Sequence, residues 1–358
     1  MYTLLCAAQR ITNEVNDMLQ YAMEQIQALL AIPSPTGYTQ AVSDYLMKTL
    51  SDMGFHPEKT RKGTVICELG GEGHPLLVSA HVDTLGAMVR SVKSNGRLAY
   101  TQIGGWQDTT VETENCTIHT RDGRSYSGTV QSNYASQHVF ASMGSKPRDD
   151  KNMEIVVDEI VRSADDVKKL GIAPGCFISW DPRIVLTESG YLKSRHLDDK
   201  ASSGILLALA KSVQERRVKL ARRVALMFTV YEEVGHGAAA IAPEGIEDML
   251  AVDMGCVGDD LECDETMVSI CCKDSSGPYN YDMTNRLIEL AAQNNLHYAA
   301  DIYPYYGSDA STAVRAGLEA RHALIGPGVF ASHGYERTHA EGVDNTLRLL
   351  CAYVQDTV

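Results

Sequence analysis

Ser194-Arg195-His196-Leu197-Asp198-Asp199-Lys200-Ala201-Ser202-Ser203-Gly204 sets two carboxylates side by side just where an apolar helical run, Ile205 to Ala210, begins. Adjacent carboxylates repel, so a folded chain keeps them solvated or neutralises them with a cation. Taken alone, the stretch reads first as a helix N-terminus, where Asp is favoured as a cap and by the helix dipole. The rest of the chain shifts the balance toward a cation site. His81-Val82-Asp83 lies upstream, and Glu232-Glu233, Asp253 and His333 lie downstream. Each stands at the end of an apolar strand-like run or beside glycine.

Leu76-Leu77-Val78-Ser79-Ala80 is one such run, leading straight into His81, and Arg223 to Val230 is another. Leu250-Ala251-Val252-Asp253 is a short strand ending in an acid. Unbroken apolar strands are expected where both faces of a sheet are covered. Helical spacing over residues 11 to 31, Thr39 to Met53, Gly204 to Val213, Thr284 to Asn294, from near Ala310, and Asn345 to Val354 supplies the covering helices. The fold class is therefore α/β, a three-layer α/β/α domain with its site beyond the carboxyl ends of the strands.

From Met88 to Thr187 the pattern changes. Ser94-Asn95-Gly96-Arg97 and Arg121-Asp122-Gly123-Arg124 are hairpin turns flanked by short strand-like runs: Ala87 to Val92, Leu98 to Ile103, Cys116 to Thr120 and Tyr126 to Gln131. This marks a β-rich insert, residues 88–187, within a discontinuous catalytic domain formed by residues 1–87 and 188–358.

A net charge of -14 argues against a nucleic-acid partner, since phosphate binding needs clustered Lys and Arg. The nine cysteines are odd in number and contain no CxxC pair, which fits a reduced, cytoplasmic setting. The apolar patch Leu4 to Ala8 has no positive region ahead of it and is too short for a secretory signal or a membrane span. No membrane partner is expected.

Two imidazoles and three carboxylates suit two divalent cations with positions open to water. One would take His81, Asp198 and Asp253; the other Asp198, Glu233 and His333. The shared Asp198 would hold the pair about 3.5–4 Å apart, with a hydroxide between them. Asp83 shares a strand face with His81 and is placed to steady its ring. Glu232 remains free to carry a proton from water to a leaving amine. Each motif also has a bland reading: a buried structural His–Asp pair, a solvated acidic pair at 232–233, a cap or turn at Asp253. The joint order of all five is the specific signal.

His81-Val82-Asp83-Thr84-Leu85-Gly86, Leu197-Asp198-Asp199-Lys200, Thr229-Val230-Tyr231-Glu232-Glu233-Val234-Gly235, Val252-Asp253-Met254-Gly255 and Gly307-Ser308-Asp309-Ala310 together resemble the co-catalytic metallo-aminopeptidases. That family includes glutamyl, leucyl and deblocking aminopeptidases and the tetrahedral TET enzymes. The resemblance covers nearly the whole chain, with a barrel-like insert at the same place. It implies a metalloprotease acting on the N-terminal residues of peptides, with two divalent metal ions per subunit, zinc foremost and cobalt or manganese as alternatives. It also implies a homo-oligomer, a dimer up to a dodecamer, assembled through the insert.

The departure is near the C-terminus, where family members often show His-Ser-Pro and this chain reads Ser332-His333-Gly334-Tyr335-Glu336-Arg337-Thr338-His339. Spacing to Glu336 favours His333 as the last ligand, with His339 as the competitor. The segments Leu30 to Tyr38 and His333 to His339 also look like a subgroup linked to making an acetylated glutamine dipeptide osmoprotectant. The rival functions are a related amidohydrolase (a deacylase, carboxypeptidase or dipeptide-specific enzyme) and a non-catalytic metal-containing scaffold. An unliganded Glu232 speaks against the scaffold.

Overall fold

The computed structural model of the chain describes residues 17–239 and 241–357. The patch Leu4 to Ala8, Cys6 and the first part of the helix expected from residue 11 lie outside those residues; residues 17–30 of that helix are helical as expected.

Four parallel strands form the centre of a ten-stranded sheet, in the spatial order Val224–Thr229, Leu76–His81, Asp248–Val252, Arg321–Val329. Alternation along each strand divides its side chains between two cores. Leu76, Val78, Ala80, Leu226, Phe228, Leu250 and Val252 pack beneath the helices on one face. Leu77, Met227, Met249 and Ala251 face the other, where Ala310 and Ala313 of the Asp309–Arg315 helix cover them. This is the α/β/α layering expected from the unbroken apolar runs.

A closed six-stranded barrel interrupts the sheet between His81 and Asp198, in the order Gly86–Val92, Leu98–Ile103, Met153–Val157, Ser125–Ser132, Asn115–His119, Phe177–Trp180. Trp106 and Trp180 meet edge to face in its core, with ring centroids 5.3 Å apart. The chain leaves the barrel through a three-stranded sheet of Val185–Leu186, Tyr191–Ser194 and Glu336–His339. That sheet brings the C-terminal region, 142 residues away in sequence by the pairing of Ser194 with Glu336, to the doorstep of Asp198 (the separation is roughly the length of an average domain).

Among the strands that escape the sequence patterns are Met153–Val157, Tyr191–Ser194, Val268–Asp274, Tyr298–Ile302 and Glu336–His339. Val268–Asp274 runs antiparallel to Arg321–Val329 and ends in Cys-Cys-Lys-Asp, so its outer half carries no apolar alternation. Glu336–His339 is polar throughout and is a strand through its pairing with Tyr191–Ser194 on one side and the Phe330–Arg337 bridge on the other.

Candidate metal centre

His81 ends its strand, Asp253 follows Asp248–Val252, and Glu232 and Glu233 form a single 3-10 turn after Val224–Thr229. Since these strands are parallel neighbours, the three polar ends open on one edge of the sheet. Asp198 arrives from the other side, at the start of the Leu197–Gln214 helix. Its backbone and that of Asp199 are not helical (ψ 105° and 34°), and the Asp198–Asp199 peptide is cis. The Asp198 carboxylate faces two imidazoles instead of capping the helix. His81 Nε2 lies 2.9 Å from Oδ1 and His333 Nε2 lies 3.4 Å from Oδ2.

Ligand atoms of His81, Asp198 and Asp253 all fall within 4.8 Å of one another. On the far side of Asp198, Glu233 Oε2 is 3.7 Å from His333 Nε2. Glu232 Oε2 stands off at 3.8 Å from His81 Nε2. His81 donates through Nδ1 to the backbone oxygen of Asp83 (3.1 Å), while the Asp83 carboxylate itself is 3.6 Å from that nitrogen. The Asp83 carboxylate is held at both oxygens: Oδ2 accepts from Thr36 Oγ1 (2.6 Å) and Oδ1 from the backbone N–H of Glu232 (3.2 Å). His339 is placed elsewhere. It caps the Ala340–Val354 helix by accepting from Glu341 N, and its Nε2 donates to Ser189 O (2.8 Å).

So many buried acids perturb one another. Burial raises the carboxyls of Glu232 and Glu233 well above the ordinary range, with neighbouring carboxylates adding to it. Burial and then Asp198 push Asp253 up to about 7. Burial opposes the charge on His333, but the hydrogen bond and charge of Asp198 win and lift it to about 10. Asp198 goes the other way: burial would raise it, yet the two imidazoles hold it well below the usual carboxylate range.

Divalent cations fit this donor set. A carboxylate with one imidazole at each oxygen has the arrangement of a bridging ligand. Glu233 Oε1 and Asp199 Oδ1 are buried with no hydrogen-bond partner among the described residues, which is costly unless a cation meets them. The cluster floors a cavity of about 300 Å³ walled by Ser275, Ser276, Tyr305, Tyr306, Thr312 and Arg315.

Several supporting residues receive no role from the sequence alone, although Glu336 and Asp309 lie in segments that it singles out. Thr36 sits in the turn-forming cluster that stops the first helix, and nothing local ties it to Asp83. Glu336 bridges the backbone N–H groups of His333 (2.9 Å) and Asp198 (3.1 Å). Gly105 offers only a backbone oxygen, which accepts from His333 Nδ1. Asp309, within a segment quoted above, accepts from Thr229 Oγ1 (2.5 Å) and Ala238 N (2.8 Å), pinning the loop after Glu232-Glu233.

The sequence matches the M42 glutamyl aminopeptidase family over residues 63–349. A Bacillus subtilis (strain 168) protein named "Putative aminopeptidase YhfE" is 44% identical across 93% of this chain and 97% of its own length. The glutamyl aminopeptidase of Lactococcus lactis subsp. cremoris (strain MG1363) is 25% identical across 61% of this chain and 62% of its own. In three dimensions, the TET aminopeptidase from Thaumarchaeota archaeon SCGC AB-539-E09 matches with a TM-score of 0.85 at 18% identity, over 93% of this chain and 96% of that one. The Pyrococcus horikoshii TET1 peptidase, described as able to assemble into a tetrahedron or a large octahedral shell, matches with a TM-score of 0.82 at 20% identity, over 93% and 99%. At such identities these two likenesses speak for the fold.

Proposed function

This chain belongs to the M42 glutamyl aminopeptidase family and is a peptide hydrolase, and from that premise we propose that it removes N-terminal residues from peptides at a two-metal centre. The observation that carries the proposal is Asp198, held between the imidazoles of His81 and His333. On one side Asp198, His81 and Asp253 would hold an ion; on the other, Asp198, Glu233 and His333. Bound there, divalent ions such as zinc, cobalt or manganese would supply Lewis acidity toward the scissile carbonyl and an acidified water.

The chain's own groups do the rest. Glu232, partly buried and raised above the ordinary carboxyl range, takes a proton from the attacking water at its carboxylate and returns it to the leaving amine nitrogen. Its backbone N–H is fixed by Asp83 Oδ1, so the base does not drift as charge changes around it. Asp83 in turn is anchored by Thr36 and sits beside His81. Residues 88–187 are assigned as a separate inserted unit through which copies associate.

Arg315 also lines the cavity, the one cation doing so apart from His333 among the described residues. Its Nη2 donates to Ser276 Oγ (2.6 Å), and it pairs with no carboxylate among the described residues. An acidic N-terminal residue would complete it. The test is a panel of aminoacyl p-nitroanilides (Glu, Leu, Lys), N-acylated dipeptides and amino-blocked peptides with free C-termini, assayed with added zinc, cobalt or manganese. Preferred cleavage of the free-amine glutamyl substrate is expected. Cleavage confined to N-acylated or amino-blocked substrates would overturn the aminopeptidase reading.

A further inference from the structure

His333 reaches Asp198 from a loop that its own backbone holds only in part: Phe330 and Arg337 pair at its base (2.9 and 3.1 Å), and Gly334 N donates to Ala331 O (3.0 Å). Ala331 and His333 both lie in the left-handed region, with φ of 59° and 62°. A side chain in that region persists only where its surroundings over-determine it. Glu336 supplies one restraint by accepting from His333 N. Further restraints on residues 333–335 come from the barrel and from the chain leading out of it. Gly105, just past the Leu98–Ile103 barrel strand, accepts from His333 Nδ1. Arg195 Nη1 donates to Gly334 O (3.2 Å). The Arg183 guanidinium lies 3.9 Å over the Tyr335 ring, whose hydroxyl donates to Arg183 O (2.8 Å).

These two arginines converge on one carboxylate. Glu114, which directly precedes the Asn115–His119 barrel strand, receives Arg195 through Nε (2.8 Å) and Nη2 (2.7 Å) and Arg183 through Nη2 (2.9 Å), all at Oε2. Arg195 also donates through Nη2 to Thr110 O, on the barrel side. Glu114 is 6% and Arg195 3% exposed, so water offers neither a substitute partner. Arg195 is three residues before Asp198 in sequence, so the same clamp secures the approach to the carboxylate that His333 faces.

We propose that Glu114 is a positioning residue of the metal centre: by gathering Arg195 and Arg183 it locks residues 333–335 against the barrel and fixes the imidazole of His333 where it meets its ion. The inserted barrel is then part of the site's construction and not only an appendage. This inference rests on reading His333 as a ligand, as above. A plain structural ion cluster would lower overall stability. A positioning cluster weakens one metal-binding step selectively.

The test is calorimetric titration of zinc into chelator-stripped, full-length protein, comparing the unaltered chain with His333→Ala, Glu114→Gln and Arg183→Gln. His333→Ala identifies the binding step that depends on this imidazole. Glu114→Gln keeps the side-chain shape but discharges the hub. It is expected to weaken that same step by about 10- to 100-fold, the range typical of residues that orient a ligand, while the other step changes far less. Arg183→Gln, at a half-exposed guanidinium (side chain 45% exposed), serves if Glu114→Gln does not fold, and a weakening of the same step by several-fold is expected. A folded variant whose two binding steps match those of the unaltered protein overturns the proposal. If His333→Ala removes no binding step, the ligand reading of His333 fails instead, and the two failures are told apart.

Discussion

Glu232 and Glu233 are neighbours in sequence and are both largely enclosed carboxyls with raised pKa, yet they should respond in opposite ways to the same isosteric change. In the reading proposed above, Glu232, 3.8 Å from His81 Nε2, stands beside the ions, whereas Glu233, whose Oε1 is buried with no hydrogen-bond partner among the described residues, is among their ligands. Gln matches Glu in size, so Glu232→Gln opens no cavity and removes only the ability to take a proton. The loss expected for a positioned general base is about 10²–10⁴ in kcat, or roughly 2.7–5.4 kcal/mol of barrier. Two ions should remain bound. Glu233 has Oε1 without a hydrogen-bond partner among the described residues and Oε2 facing His333, and a neutral amide cannot replace its charge. Glu233→Gln should therefore lose one ion, with activity falling as a consequence. Steady-state kinetics on an aminoacyl p-nitroanilide, paired with a calorimetric zinc count, reads both effects. Glu232→Gln retaining most of its turnover, or shedding an ion along with it, would refute the division of labour between the two residues.

Thr36→Val removes the 2.6 Å hydrogen bond to Asp83, a carboxylate with no exposure to water. A lost hydrogen bond to a buried charge costs about 2 kcal/mol, so the urea midpoint should fall and turnover should drop as Asp83 loosens its hold on Glu232. An unchanged midpoint would mean the bond contributes nothing net. The pH dependence of the metal-free protein offers another check. Burial raises the Glu232, Glu233 and Asp253 carboxyls, Asp253 to about 7, above an unfolded value of about 4. A carboxyl raised on folding binds more protons in the native state, so its stabilising effect is full below the unfolded pKa and is lost as pH rises through the folded one. His333, raised to about 10, acts in the same direction over the alkaline part of the range. Thermal unfolding in excess chelator should therefore show lower stability at about pH 8 than at about pH 6, and zinc should abolish the difference. Equal stability at both pH values without metal would contradict the electrostatic account.

The amino-acid sequence on its own settled the architecture wherever one periodicity dominated. The runs ending at His81, Thr229 and Val252 are apolar on both faces because helices cover both sides of a parallel sheet, and that requirement is written residue by residue into each strand. Polar residues terminating such strands announced where a site would lie. The barrel hairpins were equally legible, since their turns need Asn-Gly or Asp-Gly to reach positive φ; Gly96 and Gly123 have φ of 81° and 85°.

Tertiary structure alone decided which groups stand together around Asp198. His333 and His339 are the same residue type six positions apart, and only the pairing of Tyr191–Ser194 with Glu336–His339 sends one ring to Asp198 and the other to a helix cap. Thr36 beneath Asp83, the Gly105 oxygen on His333 and the Glu114 hub are contacts between distant segments. Each depends on a single atom's position in space, and no spacing along the chain records it. Local periodicity reflects what a segment must bury, whereas a site's geometry is fixed by how already folded segments meet.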